Sequence, residues 1–230
     1  TGTAAAGSKS VTGSGTATRT ITLDNLTGNG ALTVSIASGT ANDFAGNSAP
    51  TASASDNITV DNTAPSGLAL TVAGGDAYAT AQAVSLTLSG SDNHSVTGYF
   101  LSESSTTPSL DNFTSVTATD NYSASLGFTL SSGDGAKTVY GWLRDTAGNI
   151  GGSASDNISL DTTAPTVSVG SPSDNHSNSG PVSYTVSYTG ADNVTLVADN
   201  VTVTATGTAA AGSKSVTGSG TATRTITLDN

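Results

Sequence analysis

Short runs in which apolar and polar residues alternate recur along the chain, as in GLALTV, VSLTLS and SASLGF. A period of two places alternate side chains on opposite faces of a β-strand, so these runs predict half-buried strands. Gly, Asn, Asp and Ser separate the runs, and these residues favour turns. No segment has the apolar spacing of an amphipathic helix. In the middle of the chain, strands are predicted at 66–73, 82–89, 96–102, 113–118, 122–130, 137–144 and 153–160.

The number of these strands indicates a fold class. Seven short strands within about 100 residues are typical of an immunoglobulin-like β-sandwich, in which two antiparallel sheets pack face to face. The chain has 4 Phe and 1 Trp, and 35% of its residues are hydrophobic. A thin core of Val, Ile, Leu, Ala and Tyr fits that supply. We therefore expect an all-β protein with Trp142 in the core or at its edge.

Internal repeats organise the chain. Residues 1–25 and 206–230 are identical, at an offset of 205 residues. SASDNITVDNTAP at 53–65 also matches SASDNISLDTTAP at 153–165, at an offset of 100 residues. The expected organisation is a series of tandem immunoglobulin-like β-sandwich domains in a 205-residue two-domain repeat.

The same repeats predict where the domains begin and end. Residues 1–64 are the later part of a domain A whose front part is supplied by the preceding repeat, and residues 65–164 are a complete domain B. Residues 165–230 are the front part of the next copy of domain A, within which 206–230 duplicates 1–25. We expect one long polypeptide that continues this pattern. The alternative is a filament of separate subunits in which one chain completes the split domain of the next by strand donation.

Charge and residue usage exclude several functions. The net charge is −11, with 17 acidic and 6 basic residues. Such a surface repels phosphate groups and attracts cations, so we expect no nucleic-acid partner. Without cysteine the chain has no disulfide, thiolate metal site or Cys nucleophile. No apolar run is long enough for a membrane-spanning helix, so we expect no membrane insertion in this segment.

The turn motif D-x-AGN occurs at Asp43–Asn47 and at Asp145–Asn149, each followed by a strand and then by VDNTAP or LDTTAP. Over the whole chain these motifs resemble the bacterial immunoglobulin-like tandem repeats of large surface adhesins and biofilm proteins. The resemblance implies an extracellular, cell-surface location and a spacer or adhesive role. The partners it implies are neighbouring repeats or identical chains in a fibre. It implies no catalytic residue.

Asp-Asn pairs point to a metal site. Of the 16 Asn residues, 11 follow an Asp. Such pairs suit turns because their side chains bond the nearby backbone, and turn chemistry alone explains many of them. They also present the oxygen ligands that Ca²⁺ prefers. In a seven-strand sandwich the entering linker, the B–C loop and the F–G loop meet at one end. This predicts a first site at Asp61, Asn62, Asp92, Asn93 and Asp145, and a second at Asp161, Asp192, Asn193 and Asp43 of the next repeat.

The resemblance supports calcium, because related adhesin arrays and cadherins stiffen their linkers with Ca²⁺ at Asp-rich boundaries. Catalysis has weaker support: His94 and His176 occupy non-equivalent loops and Glu103 is the only Glu, so we expect no enzyme. A carbohydrate-binding module that contacts surface glycans is a further alternative. The aromatic residues available for it are Tyr99, Tyr122, Tyr140, Tyr184 and Tyr188.

Overall fold

β-Strands make up nearly all of the regular structure, as the alternating pattern predicted. The computed structural model describes residues 2–15 and 18–229. Within these ranges the helical segments are single 3₁₀ turns, at Ala73–Gly75, Leu110–Asn112 and Ala198–Asn200. No helix of the described part is long and apolar enough to cross a membrane. The chain divides into two units, residues 1–162 and 163–230, which are described separately.

The first unit begins with two small antiparallel pairs. They are β1 (Ala5–Thr12) with β2 (Thr20–Thr27), and β3 (Gly30–Leu32) with β4 (Ile58–Val60). Every residue of β1 is exposed. Among the strands of the described residues, β2 pairs with β1 alone.

A six-stranded sheet forms the rest of the first unit. Its strands are β5 (Ser66–Val72), β6 (Tyr78–Ala79), β7 (Ala83–Ser102), β8 (Thr114–Thr129), β9 (Gly135–Asp145) and β10 (Ala154–Leu160). The order is β5-β7-β9-β10-β6, and β8 also pairs with β7. All pairs are antiparallel except the short one between β10 and β6.

The long strand β7 changes partners along its length. Its register shifts between Ser91 and Val96. Before the shift β7 pairs with β5 and with the second half of β8, and after it with β9 and the first half of β8. The strands predicted at 82–89 and 96–102 are therefore two halves of one bent strand. Ser95 adopts a positive φ of 70°, which lets the chain turn without leaving the sheet.

Side chains from both halves of β7 share one core. Leu88, before the bend, and Val96, after it, are both 0% exposed. The other buried members are Leu70, Val72, Leu86, Tyr122, Leu130, Val139, Leu143, Ile158 and Leu160. Trp142 is also buried, as expected, and its ring lies 5.8 Å from that of Phe100.

The second unit is a four-stranded antiparallel sheet. Its strands are β11 (Thr166–Pro172), β12 (Val182–Thr189), β13 (Ser213–Thr217) and β14 (Thr223–Asp229), in the order β11-β12-β14-β13. Val186 and Ile226 are buried, whereas Val167 and Val169 on β11 are each 62% exposed. One face of this sheet is therefore apolar and partly open.

Replacing a core leucine should destabilise the first unit far more than replacing a surface leucine. Leu88→Ala deletes a fully buried side chain, which typically lowers the free energy of unfolding by about 2–5 kcal/mol. Leu110→Ala, at a residue that is 44% exposed, is the matched control and should cost only about 0.5 kcal/mol. Urea unfolding followed by the fluorescence of the single Trp measures both variants. Equal losses would contradict the assigned core.

Candidate metal site

Three aspartates from separate segments of the first unit converge on one point. One carboxylate oxygen from each of Asp61, Asp92 and Asp145 lies within 4.8 Å of the other two. These residues are 8%, 7% and 2% exposed, respectively. Because like charges repel more strongly away from water, such a group needs a compensating positive charge or a proton.

Local backbone structure positions two of these side chains. Asp61 directly follows β4, and its Oδ1 accepts a hydrogen bond from the backbone N–H of Thr63 at 3.0 Å. Asp92 lies at the bend of β7, and its Oδ1 accepts from the N–H of His94 at 2.8 Å. Both are Asx turns, in which the side chain bonds the backbone two residues on. Each carboxylate is thereby oriented through one oxygen, and the other oxygen is left for the cluster.

The D-x-AGN turn holds the third carboxylate at the end of β9. Asp145 Oδ1 accepts from the backbone N–H groups of Gly148 and Asn149, at 2.7 and 2.8 Å. Gly148 has a φ of 93°, a conformation that side chains disfavour, which explains the glycine in the motif. The Asn149 amide donates to Asp145 Oδ2 at 2.7 Å and to the Asp61 carbonyl at 3.0 Å. Asn149 therefore links the segment of Asp61 to the end of β9.

Two buried carboxylate oxygens of the cluster lack a partner. Within the described residues, neither Asp61 Oδ2 nor Asp92 Oδ2 accepts a hydrogen bond. A buried charged oxygen without a partner is costly, so it is expected to carry a proton or to bind a cation.

The electrostatics of Asp92 agree with this requirement. Burial raises the pKa of Asp92 above its ordinary value of 3.8, and the charges of Asp145 and Asp61 raise it further, while the hydrogen bond from His94 opposes the rise. A bound cation would instead lower the pKa of Asp92, because it favours the ionised carboxylate.

The donor set suits a hard cation. All three converging groups are carboxylates, and Ca²⁺ takes six to eight oxygen ligands at about 2.3–2.6 Å, often including water. A pocket of about 320 Å³ lies beside Asp61 and is lined by Thr59, Asp61, His94, Thr146 and Ala147. The three carboxylates would therefore suit Ca²⁺ and would supply part of its ligand shell.

The predicted amide ligands of this site lie at its margin. Asn62 and Asn93 are both exposed. The amide nitrogen of Asn62 donates to the carbonyl of Gly28 at 2.8 Å. The contribution of both residues to a metal site stays a prediction. The residue that sequence reasoning missed is Asn149, although its place in a repeated D-x-AGN motif was a usable signal.

The second predicted set is distributed over both units. Asp43 and Asp161 belong to the first unit, and Asp192 and Asn193 to the second; all four are exposed. The turn at Asp43 repeats the turn at Asp145, since Asn47 donates its N–H to Asp43 Oδ1 at 2.9 Å and its amide to Oδ2 at 2.8 Å. Because this site takes Asp43 from another copy of the repeat, it stays a prediction.

Three of the five tyrosines considered for sugar binding pack against other aromatic rings, and the other two line an open groove. Tyr122 belongs to the core and its ring lies 6.3 Å from that of Tyr99. Tyr140 lies 6.0 Å from Trp142. Tyr184 and Tyr188 line the apolar face of the second unit.

Comparison with known proteins identifies no relative. No protein-family model matches the chain, and no curated protein or solved structure matches it either.

In metal-free protein, Asp92 should titrate at a higher pH than Asp43. Burial raises the pKa of Asp92, whereas the hydrogen bonds of Asn47 lower that of Asp43 from the same ordinary value of 3.8. The order is measured by carbon NMR of the side-chain carboxyls. Because the pKa of Asp92 is raised in the folded state, its contribution to stability is present at low pH and is lost as the pH rises through that pKa. The reverse order of titration would contradict the arrangement of the cluster.

Proposed function

We propose that the chain is a structural repeat of an extracellular surface fibre, built of tandem immunoglobulin-like β-sandwich domains and stiffened by Ca²⁺. The observation that carries this proposal is the convergence of Asp61, Asp92 and Asp145, with two buried carboxylate oxygens left without partners. Buried carboxylates that face each other in this way suit a structural cation.

The pairing of the strands supports an immunoglobulin-like sandwich for residues 66–160. β5, the first half of β7 and the second half of β8 form one paired group. The first half of β8, the second half of β7, β9 and β10 form another. Apart from the two-residue β6, which extends the second group beside β10, three strands in one group and four in the other are the number expected of a seven-stranded sandwich.

The position of Asp61 supports a stiffening role. Asp61 lies between β4 and β5, in the segment through which the chain enters the larger sheet. A cation shared with Asp92 and Asp145 would tie this segment to the bend of β7 and to the end of β9. Pro65, which is buried, restricts the same segment further because its φ is fixed. The entering chain would then have little freedom to swing.

Net charge and sequence motifs support an extracellular, calcium-binding role. Extracellular modules bind Ca²⁺ with dissociation constants of about 10⁻⁴–10⁻³ M, which suits the calcium available outside cells. The net charge of −11 attracts the cation and keeps neighbouring fibres apart. The location on a cell surface and the adhesive role rest on the resemblance of the D-x-AGN and DNTAP motifs to bacterial adhesin repeats.

Calcium should raise the thermal midpoint of the first unit in a manner that depends on Asp92. A ligand at a hundredfold excess over its Kd stabilises a folded protein by about 2.7 kcal/mol. Asp92→Asn keeps the shape of the side chain but removes its charge, so most of the calcium-induced rise should disappear. In EDTA the same variant should be at least as stable as the unchanged protein, because it relieves repulsion within the cluster.

Asp76→Asn is the matched control, because Asp76 is an exposed aspartate of the same unit outside the cluster. It should retain the full calcium response in calorimetry. If Asp92→Asn instead lowered the midpoint equally in calcium and in EDTA, Asp92 would be only a structural turn residue.

A further inference from the structure

One hairpin occurs twice in the protein, in two different settings. Residues 1–25 and 206–230 have the same sequence, and their strands pair in the same register, as in Val11 opposite Ile21 and Val216 opposite Ile226. In the second unit the outer edge of β14, the second strand of this hairpin, pairs with β12 over Val182–Ser187. In the first unit the same edge of β2 pairs with no strand of the described residues.

The arginine of the hairpin is also in different surroundings in the two copies. Arg224 donates to the carbonyls of Gly220, Thr223 and Val194, each at 2.8 Å, and is 8% exposed. Its duplicate Arg19 donates to the carbonyls of Gly15 and Thr18, also at 2.8 Å, and is exposed. The equivalents of Gly220 and Thr223 are present for Arg19. The carbonyl of Val194 accepts from Arg224 of the second copy, and among the described residues Arg19 of the first copy makes no equivalent of this bond.

Both copies of the hairpin also line an apolar groove. In the first unit Ile21 and Leu23 face Leu26, Leu32, Val34 and Ile58. In the second unit the duplicates Ile226 and Leu228 line a larger groove of about 560 Å³ with β11, β12 and the segment 196–204. Val167 and Val169 of that groove are each 62% exposed. In each groove one wall is a copy of the same hairpin. The other apolar residues of the two grooves come from different parts of the repeat.

We propose that these grooves are two halves of one domain, and that the open groove of the second unit is closed by residues 26–64 of the next copy of the repeat in the same polypeptide. This inference rests on the tandem-repeat part of the proposed function and adds the residues of the joint. Residues 206–230 take the place of residues 1–25 of the next copy. Leu32, Val34 and Ile58 of that copy cover Val167 and Val169.

The repeat also defines the register in which β12 pairs with β2 of a following copy. Because Ile226 and Arg224 pair with Tyr184 and Val186, their duplicates Ile21 and Arg19 take the same partners in every internal copy of the domain. Each internal arginine then gains the carbonyl of Val194. Burying the exposed valines supplies the apolar area that neither half buries alone.

The occupant is a covalently continuous copy and not a separate chain. In the 230-residue chain, β14 already pairs with β12 along Val182–Ser187. The β2 strand of a separate molecule would have to displace its own duplicate, with no gain in hydrogen bonds. A copy that continues after Asn230 displaces nothing, because it adds only the missing wall.

The test appends residues 26–64 after Asn230 and compares the extended chain with the original 230 residues. Hydrogen exchange of the β12 amides should slow at least about tenfold on extension, because the groove closes. Val169→Asp places a charge at the covered face and should abolish this slowing. In the original chain the same substitution should change exchange little, since Val169 is 62% exposed there. Ser168→Asp is the matched control, an exposed residue one position away on β11 that does not line the groove, and should preserve the slowing.

Two results would overturn the proposal. Exchange of β12 that is unchanged by extension would show that residues 26–64 do not cover the groove. Concentration-dependent association of the 230-residue chain in sedimentation, lost in Val169→Asp, would assign the groove to a separate molecule and favour a strand-donating filament. Hydrogen exchange of residues 66–160, with and without Ca²⁺, measures the calcium response of the same extended chain, and Asp92→Asn serves as its control. These residues lie in peptides other than those of β12. Failure of the joint and failure of the calcium-stiffened spacer are therefore distinguishable.

Discussion

Repulsion among three buried carboxylates is the constraint on which the first unit depends. Asp61, Asp92 and Asp145 lie within 4.8 Å of one another, and folding brings them there from three distant parts of the chain. Backbone N–H groups hold one oxygen of each carboxylate, and the amide of Asn149 joins Asp145 to the Asp61 carbonyl. These bonds orient the charges but do not neutralise them. A cation at the centre would convert the repulsion into a link between the entering segment, the bend of β7 and the end of β9.

The strands and the cluster were predictable from the sequence to different degrees. Alternation identified the strand positions of residues 66–160, because one face of each strand packs on the core. It did not identify that 82–89 and 96–102 are one bent strand, or that 113–118 and 122–130 fall in the single strand β8. The Asp-Asn pair at 92–93 looks like a loop, yet the bond from Asp92 to the His94 N–H and the positive φ of Ser95 turn the chain within the sheet. Asn149 was recognised as part of the turn motif, but its role in the cluster was not predicted because it depends on a contact with Asp61, 88 residues away.

The duplicated hairpin shows how far a local sequence determines its own structure. Residues 8–12 and 20–24 pair as their duplicates do, so turn and strand propensities are sufficient for this part of the hairpin. Burial differs between the copies: Arg224 and Ile226 are each 8% exposed, whereas Ile21 is 36% exposed and Arg19 is exposed. The difference comes from β12 and the segment around Val194, which pack only against the second copy. Tertiary partners therefore decide which faces of the same hairpin become core.

Stiffening by calcium requires that a cation occupy the cluster of Asp61, Asp92 and Asp145. Crystals grown with Ca²⁺ and measured for anomalous scattering test this at the atomic level. We expect an anomalous peak between the three carboxylates, about 2.3–2.6 Å from Asp61 Oδ2 and Asp92 Oδ2, with further oxygen ligands from water. Electron density that contains only water, or carboxylates that hydrogen-bond each other through a shared proton at neutral pH and millimolar calcium, would contradict it.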